Sequence, residues 1–240
     1  MKSTFIRFGA IAFVLCFALQ LNAQSTSLSS VFSAQVEDDE IDGFMGAVDE
    51  AFFNVQGDDD AFTVFSFVDF DTTSIPGTAT AINSISLDLT QSNAFFTADG
   101  ALEFFLASDT SPVDTNSLIR FLTNGSNVGA QVVGSQLGPL FSLGSGVFVE
   151  TATGDVDNFA LSLSAAGEAF AISQINSGGL LRVVVTPGDL GVQATVGGNA
   201  PFIDGVNSPV LNLDVETVPE PSSAAVLSLL ALAGVCRRRR

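Results

Sequence analysis

The sequence contains no histidine, tryptophan or tyrosine, and its single lysine is the second residue. The two cysteines, Cys16 and Cys236, lie in apolar segments at opposite ends of the chain, so the region between them has no disulfide and no thiol ligand. A hydrolytic triad or a transition-metal site would lack its usual bases and ligands there. Paired carboxylates can hydrolyse glycosides, but with this many acids a pair arises by chance. We expect no enzymatic activity.

Positive charge is also nearly absent from the body of the chain. Between Gln24 and Thr217 there are 25 acidic residues against two arginines, Arg120 and Arg182, a formal net charge of −23. Such a body repels nucleic acid and anionic lipid, so we exclude both as its partners. A salt-adapted acidic surface is the plainest reason for the charge, which also favours solubility.

The first 23 residues have the layout of a secretory signal peptide. Lys2 and Arg7 form a basic start, residues 8–19 are apolar, and Ala23 precedes the predicted cleavage point. The segment is uniformly apolar rather than amphipathic, which disfavours a buried N-terminal helix. We therefore predict export through the secretion translocon, with cleavage after Ala23.

The other end of the chain combines a short apolar segment with a block of arginines. Residues 224–236 are apolar or small and would form a helix of about 20 Å, which is short for a hydrocarbon core of about 30 Å. The arginines would stay on the cytoplasmic side and hold this segment in the membrane transiently during export. The two prolines before it would form a stiff tether.

The order of Pro-Glu-Pro, apolar helix and arginine cluster resembles the PEP-CTERM sorting signal of bacterial surface proteins. The resemblance covers residues 218–240 and implies recognition by an exosortase-type sorting enzyme, with delivery to the cell envelope, outer surface or extracellular matrix. A plain C-terminal membrane anchor is the alternative. The residues that would carry the sorting signal are Pro219, Glu220, Pro221, Arg237, Arg238, Arg239 and Arg240.

Between the two ends, the sequence is typical of a mainly β protein. The stretch 82–90 places Ile85, Leu87 and Leu89 on one face and polar residues on the other, which is the period-2 pattern of a half-buried strand. About nine such runs, separated by Gly, Asn, Asp and Pro, predict an antiparallel β-sandwich of jelly-roll type over 61–217. The acidic segment 24–60 is expected to belong to the edge of this sandwich.

One insertion has helical rather than strand periodicity. Residues 165–177 space Ala166, Ala169, Phe170, Ser173 and Ile175 at helical intervals, and two glycines follow as a C-cap would. We predict one short helix that closes an end of the sandwich. The body also resembles the uncharacterised single-domain sandwiches found in front of PEP-CTERM tails, a resemblance that brings no catalytic residues.

Three acidic groups are candidates for metal binding. The first resembles a calcium loop, because its carboxylates alternate as hard oxygen ligands around Ca²⁺ would require. Its candidate ligands are Asp38, Glu40, Asp42 and Asp49. The final position is an aspartate where a bidentate glutamate is usual, and no helices are predicted around the loop. Asp58 to Asp60 form the second group and Asp155 with Asp157 the third; both fit turns before strands.

These observations predict an exported structural or adhesive protein of the cell surface or matrix, with no cofactor beyond a possible Ca²⁺. The alternative is a carbohydrate-binding module of jelly-roll type, with extracellular polysaccharide as its partner and structural calcium. The lack of tryptophan and tyrosine removes the usual sugar-stacking platforms, for which phenylalanine is a partial substitute.

Overall fold

A computed structural model describes residues 22–39, 48–49, 53–57, 62–92, 97–111, 120–124, 127–133, 137–199 and 207–218. It contains thirteen strands and one helix in these ranges. In chain order they are β1 (Asn22–Asp39), β2 (Val48–Asp49), β3 (Phe53–Gln56), β4 (Phe62–Asp71), β5 (Thr78–Thr90), β6 (Gly100–Ala107), β7 (Arg120–Asn124), β8 (Asn127–Val133), β9 (Leu140–Phe148), β10 (Val156–Leu161), α1 (Ala165–Ser177), β11 (Leu180–Pro187), β12 (Gln193–Val196) and β13 (Val210–Val218).

Eight long strands form two antiparallel sheets joined through β1. Sheet A has the order β10, β5, β13 and the first half of β1, and sheet B continues with the second half of β1, then β4, β11, β6 and β9. The pairs β1 with β13, β4 with β11, β5 with β10, and β6 with β9 are nested in sequence. The chain thus pairs as one long antiparallel ribbon, folded over itself. The prediction of a mainly β, antiparallel fold is confirmed for the described residues.

The core lies between the two sheets, because the inward side chains of both are apolar. In sheet A, Ile85, Leu87 and Leu89 are buried as the alternation predicted. Side chains of sheet B, including Phe104 and Val183, join them in one cluster. Full burial of a side chain of this size contributes about 1.5–3 kcal/mol, so this cluster is the main source of stability in a domain without disulfides.

Strand β1 belongs to both sheets and is the outermost long strand of each. Its first half pairs with β13, and its second half pairs with β4 after an irregularity between Ser30 and Phe32. A bulge bends a strand and increases its twist, which lets one strand belong to both sheets. Among the described strands, only the two residues of β2 pair with the other side of β1. Our expectation that 24–60 belongs to the edge of the sandwich stays a prediction.

Sheet B is also covered on its outer face. Residues 64–70 of strand β4 are all buried. Phe65 and Phe67 of β4 pack there with Val184 and Leu137, and the backbone of β8 runs close to β11. Strands β4 and β11 of sheet B are consequently buried on both sides, whereas the outer face of sheet A is exposed.

Helix α1 has the predicted bounds. Its N-cap is Ser164, and Gly178 ends it in the left-handed conformation with φ of 65°, as the two glycines indicated. Its buried residues are Gly167, Ala171 and Ile175. Ala166, Ala169 and Ser173 are exposed.

Both predicted terminal helices fall outside the described residues, as do the sorting residues from Pro219 onward. Within the part of the chain that the structure describes, no helix has the length and apolar character needed to span a membrane. The predicted cleavage residue, Ala23, is exposed near the start of β1, where it is opposite Glu216 of β13.

Candidate functional site

The exposed outer face of sheet A carries small polar side chains on four adjacent strands. We call these residues the polar face. Cross-strand pairing aligns them in rows: Ser27 is opposite Asn212, which is opposite Ser86. The members are Ser25, Ser27 and Ser29 of β1, Asn212 and Asp214 of β13, Ser84, Ser86 and Asp88 of β5, and Asn158 of β10.

Hydrogen bonds connect the middle of the polar face across all four strands. Ser27 Oγ donates to Asn212 Oδ1 over 2.6 Å, and Asn212 Nδ2 donates to Asp88 Oδ2 over 2.8 Å. From the other side, Asn158 Nδ2 donates to Asp88 Oδ1 over 2.5 Å and to Ser86 Oγ over 3.2 Å. Asp88 is thus the central acceptor, and each partner holds its neighbour in one orientation.

A buried ion pair lies on the opposite side of the domain, on the outer face of sheet B. Arg182 of β11 is directly opposite Asp69 of β4, and its Nε and Nη2 donate to the two carboxylate oxygens over 2.7 Å each. Its Nη1 donates to the carbonyl of Asp109 over 3.2 Å, and the guanidinium lies 5.2 Å from the ring centre of Phe67. Arg182 is 1% exposed, so we assign this pair a structural role.

Gln91 organises the loop before β10. It is fully buried, and its Nε2 donates to Val149 O over 2.8 Å and to Asp157 Oδ2 over 2.7 Å. Its Oε1 accepts from Thr151 N over 2.8 Å. In the same loop, Ala152 N donates to Asp155 Oδ2, which is the turn geometry predicted for this aspartate. The carboxylates of Asp155 and Asp157 thus have a structural role as hydrogen-bond acceptors in this loop.

The pKa of Asp157 is raised, chiefly because burial disfavours its charged form, and also by the nearby charge of Asp155; the hydrogen bond from Gln91 opposes this. The pKa of this carboxyl is about 3.9 in the unfolded chain and higher in the folded protein. The group therefore stabilises the fold at pH values below about 3.9, and this stabilisation is lost as the pH rises through the pKa of the folded state. Asp157→Asn keeps an acceptor for Gln91. We expect it to raise Tm at pH 7 by about 1–2 °C and to leave Tm unchanged at pH 3.

The control for this experiment is Asp71→Asn, because the pKa of Asp71 is lowered by the hydrogen bond from the backbone N–H of Thr73. The ionised carboxylate of Asp71 therefore stabilises the fold at neutral pH, and this effect is lost as the pH falls through the pKa of Asp71 in the folded state. Asp71→Asn should consequently lower Tm at pH 7. Thermal unfolding at several pH values measures both. Equal shifts of Tm at pH 3 and pH 7 for Asp157→Asn would contradict the assignment.

The predicted calcium loop is only partly within the described residues. The backbones of Asp38 and Asp49 belong to β1 and β2, which pair antiparallel through Gln35 with Asp49 and Val36 with Val48. Glu40 and Asp42 lie outside the described residues. The elements beside this segment are strands, whereas an EF-hand loop lies between helices. Among the described residues, no group of three or more His, Cys, Asp or Glu is arranged to hold a metal ion.

Sequence reasoning missed the Asp69–Arg182 pair and the polar face as a continuous surface. The signal for the pair was present, because each charge is isolated within an apolar strand sequence, in "FVDF" and "LLRVVV". A charge in such a setting needs a partner. The outward position of Ser84, Ser86 and Asp88 was predicted, but their neighbours on β1 and β13 were not.

No protein-family model and no curated protein matches the sequence. Among solved structures, the chain is similar to one described under "Structural basis for the promiscuous specificity of the carbohydrate-binding modules from the beta-sandwich super family", with 9% identity and a TM-score of 0.23. The match covers 85% of this chain and 59% of that chain. At these values the likeness adds nothing to the argument from this chain's own residues.

Proposed function

We propose that this chain is an exported structural or adhesive protein of the cell surface or extracellular matrix, delivered by a PEP-CTERM-like tail. In this proposal the first 23 residues enter the translocon and are removed after Ala23. The apolar segment 224–236 holds the precursor in the membrane, and the arginines at 237–240 orient it. An exosortase-type enzyme then recognises Pro219, Glu220 and Pro221.

The observation that carries this proposal is the adjacency of the first and last strands. Gln24, the first residue after the predicted cleavage, is opposite Val215, and Val218 is opposite Thr78, so the processed chain enters and leaves the domain at one end of sheet A. Both terminal segments can therefore reach the same membrane surface without passing around the folded domain. The last strand ends directly before Pro219, and proline cannot donate to a strand ladder. The predicted recognition sequence would thus begin where the ladder stops.

The strand order supports the finer description of the fold. Two antiparallel sheets, ordered β1-β13-β5-β10 and β4-β11-β6-β9, correspond to the two four-stranded sheets of a jelly roll. We propose this topology for the domain, and a non-enzymatic role for it, because the body lacks histidine, lysine and cysteine.

The export proposal is tested by cell fractionation with an epitope inserted in the domain and mass spectrometry of both mature termini. We expect Gln24 as the first residue and loss of the arginine tail. Replacing Pro219, Glu220 and Pro221 with alanine should leave the tail attached to membrane-bound protein. The matched control replaces the neighbouring Ser222 and Ser223 and should be processed normally. Intact protein in the cytosol would overturn export, and an intact tail on the wild-type protein would overturn processing.

A second candidate function is polysaccharide binding, which the composition of the polar face favours. Its hydroxyl, amide and carboxylate groups are exposed on a sheet and connected across four strands. Such groups are suited to hydrogen bonds with sugar hydroxyls. An envelope or matrix protein with this activity would be retained among extracellular polysaccharides.

A further inference from the structure

We infer that the polar face is the binding site of the domain and that its ligand is a neutral polysaccharide lying across the strands of sheet A. This inference rests on the second candidate function above. It adds the location of the site, the residues that form it and the charge class of the ligand.

The composition of the polar face is unfavourable for a strand surface. Of its nine residues, two are asparagine and two are aspartate, which are depleted in strands, and five are serine, which lacks the branched β-carbon that favours strands. Threonine or valine would give an exposed strand better local stability. Residue types whose local preference opposes the fold are expected at functional sites. The composition of the polar face therefore favours a binding role.

The hydrogen bonds of the polar face hold its side chains in place before a ligand binds. Asn212 and Asn158 are each held by Asp88, and short side chains lose little entropy when they bind. The groups still have bonding capacity. The two oxygens of Asp88 provide about four lone-pair sites, of which these amides use two. Asn212 Nδ2 uses one of its two hydrogens in the bond to Asp88, whereas Asn158 Nδ2 donates both. Neighbouring members of a row lie on adjacent strands about 4.8 Å apart, so one extended ligand lying across the strands can contact several members of a row.

Charge selects a neutral ligand among the possible occupants. The polar face has two carboxylates, Asp88 and Asp214, and no cationic residue, while the body around it carries a formal net charge of −23. Anionic polymers and a second copy of this chain would both be repelled. A protein partner usually requires aromatic, methionine or arginine residues at the centre of an interface. The apolar members of these rows are Val210 and Ala160.

Because the sequence has no tryptophan or tyrosine, we expect the affinity of the polar face for a single sugar unit to be low. Without rings on the face for a sugar to stack upon, each repeating unit is held by hydrogen bonds that compete with water. We expect weak binding to an isolated oligosaccharide and stronger retention by a long polymer, because a chain can engage many copies of the domain at once.

Affinity electrophoresis of the exported protein tests the inference, with dextran, mannan, xylan and galactan as neutral polymers and alginate as the anionic one. We expect at least one neutral polymer to retard the wild-type protein and alginate not to. The double variant Asn158→Ala with Asn212→Ala should lose at least fivefold in affinity. Ser145→Ala with Ser173→Ala, which are exposed on β9 and α1, should bind as the wild type does.

A second variant separates binding from folding. Ser25→Val with Ser84→Val places better strand formers on the face, so it should unfold at a higher temperature and yet bind less. If no neutral polymer retards the protein, or if the Asn158 and Asn212 variant binds normally, the inference is wrong. Retardation by alginate alone, or self-association in sedimentation, would equally overturn it. An exported protein that binds no polymer leaves the export proposal intact, because fractionation tests export separately.

Discussion

Replacing Arg182 with leucine is expected to lower the free energy of unfolding by about 3–5 kcal/mol, because it leaves the carboxylate of Asp69 buried without its partner. Asp69 is 3% exposed and accepts two hydrogen bonds from this guanidinium. A domain of this size is usually stable by about 5–15 kcal/mol, so this one change would remove a large share. Denaturant unfolding monitored by circular dichroism measures it.

The control for this prediction replaces both partners at once. Asp69→Leu with Arg182→Met leaves no unpaired charge, and apolar pairs of this kind are often as stable as the ion pair they replace. The double variant should therefore recover most of the stability that the single variant loses. If Arg182→Leu costs less than about 1 kcal/mol, as exposed ion pairs do, the pair is not buried as the structure has it.

Ending the chain at residue 206 is expected to abolish cooperative folding, whereas ending it at Val218 should leave the domain intact. Strand β13 lies between β1 and β5, and it buries Leu211, Leu213 and Val215 in the core. Each of these side chains contributes about 1.5–3 kcal/mol, and both neighbouring ladders are lost with them. Their combined loss is comparable to the whole stability of a typical domain.

The two truncations differ by twelve residues and are compared by thermal unfolding and limited proteolysis. The chain ending at Val218 should unfold in one transition at the midpoint of the processed protein, since removal of the tail breaks no described contact. The shorter chain should show no transition and rapid proteolysis. A cooperative transition in the shorter chain would mean that β13 is not the central strand of sheet A.

This dependence on β13 has a consequence for the proposed export route. Because the last strand pairs with the first, sheet A cannot be completed until residue 218 has been synthesised and has left the translocon. The chain would thus remain unfolded for export, as passage through a translocon requires, and would fold while the tail still holds it at the membrane. The same arrangement lets the tail be removed without loss of structure.

Sequence alone determined those features that depend on near neighbours in the chain. The alternation in β5 predicted which of its side chains are buried, and the two glycines after Ser177 predicted the end of α1, because both patterns follow from local backbone geometry. The overall class, mainly β and antiparallel with one helix, followed from the same signals. So did the outward position of Ser84, Ser86 and Asp88.

Only the tertiary structure decided which strands are neighbours, because strand pairing depends on contacts far apart in sequence. Asp69 and Arg182 are separated by 113 residues and Ser27 and Asn212 by 185, so neither the ion pair nor the polar face could be read from spacing. The passage of β1 from one sheet to the other has the same origin. The buried face of α1 was likewise decided by tertiary contacts, because Gly167 lies close to Phe141 and the helical period does not encode such an approach.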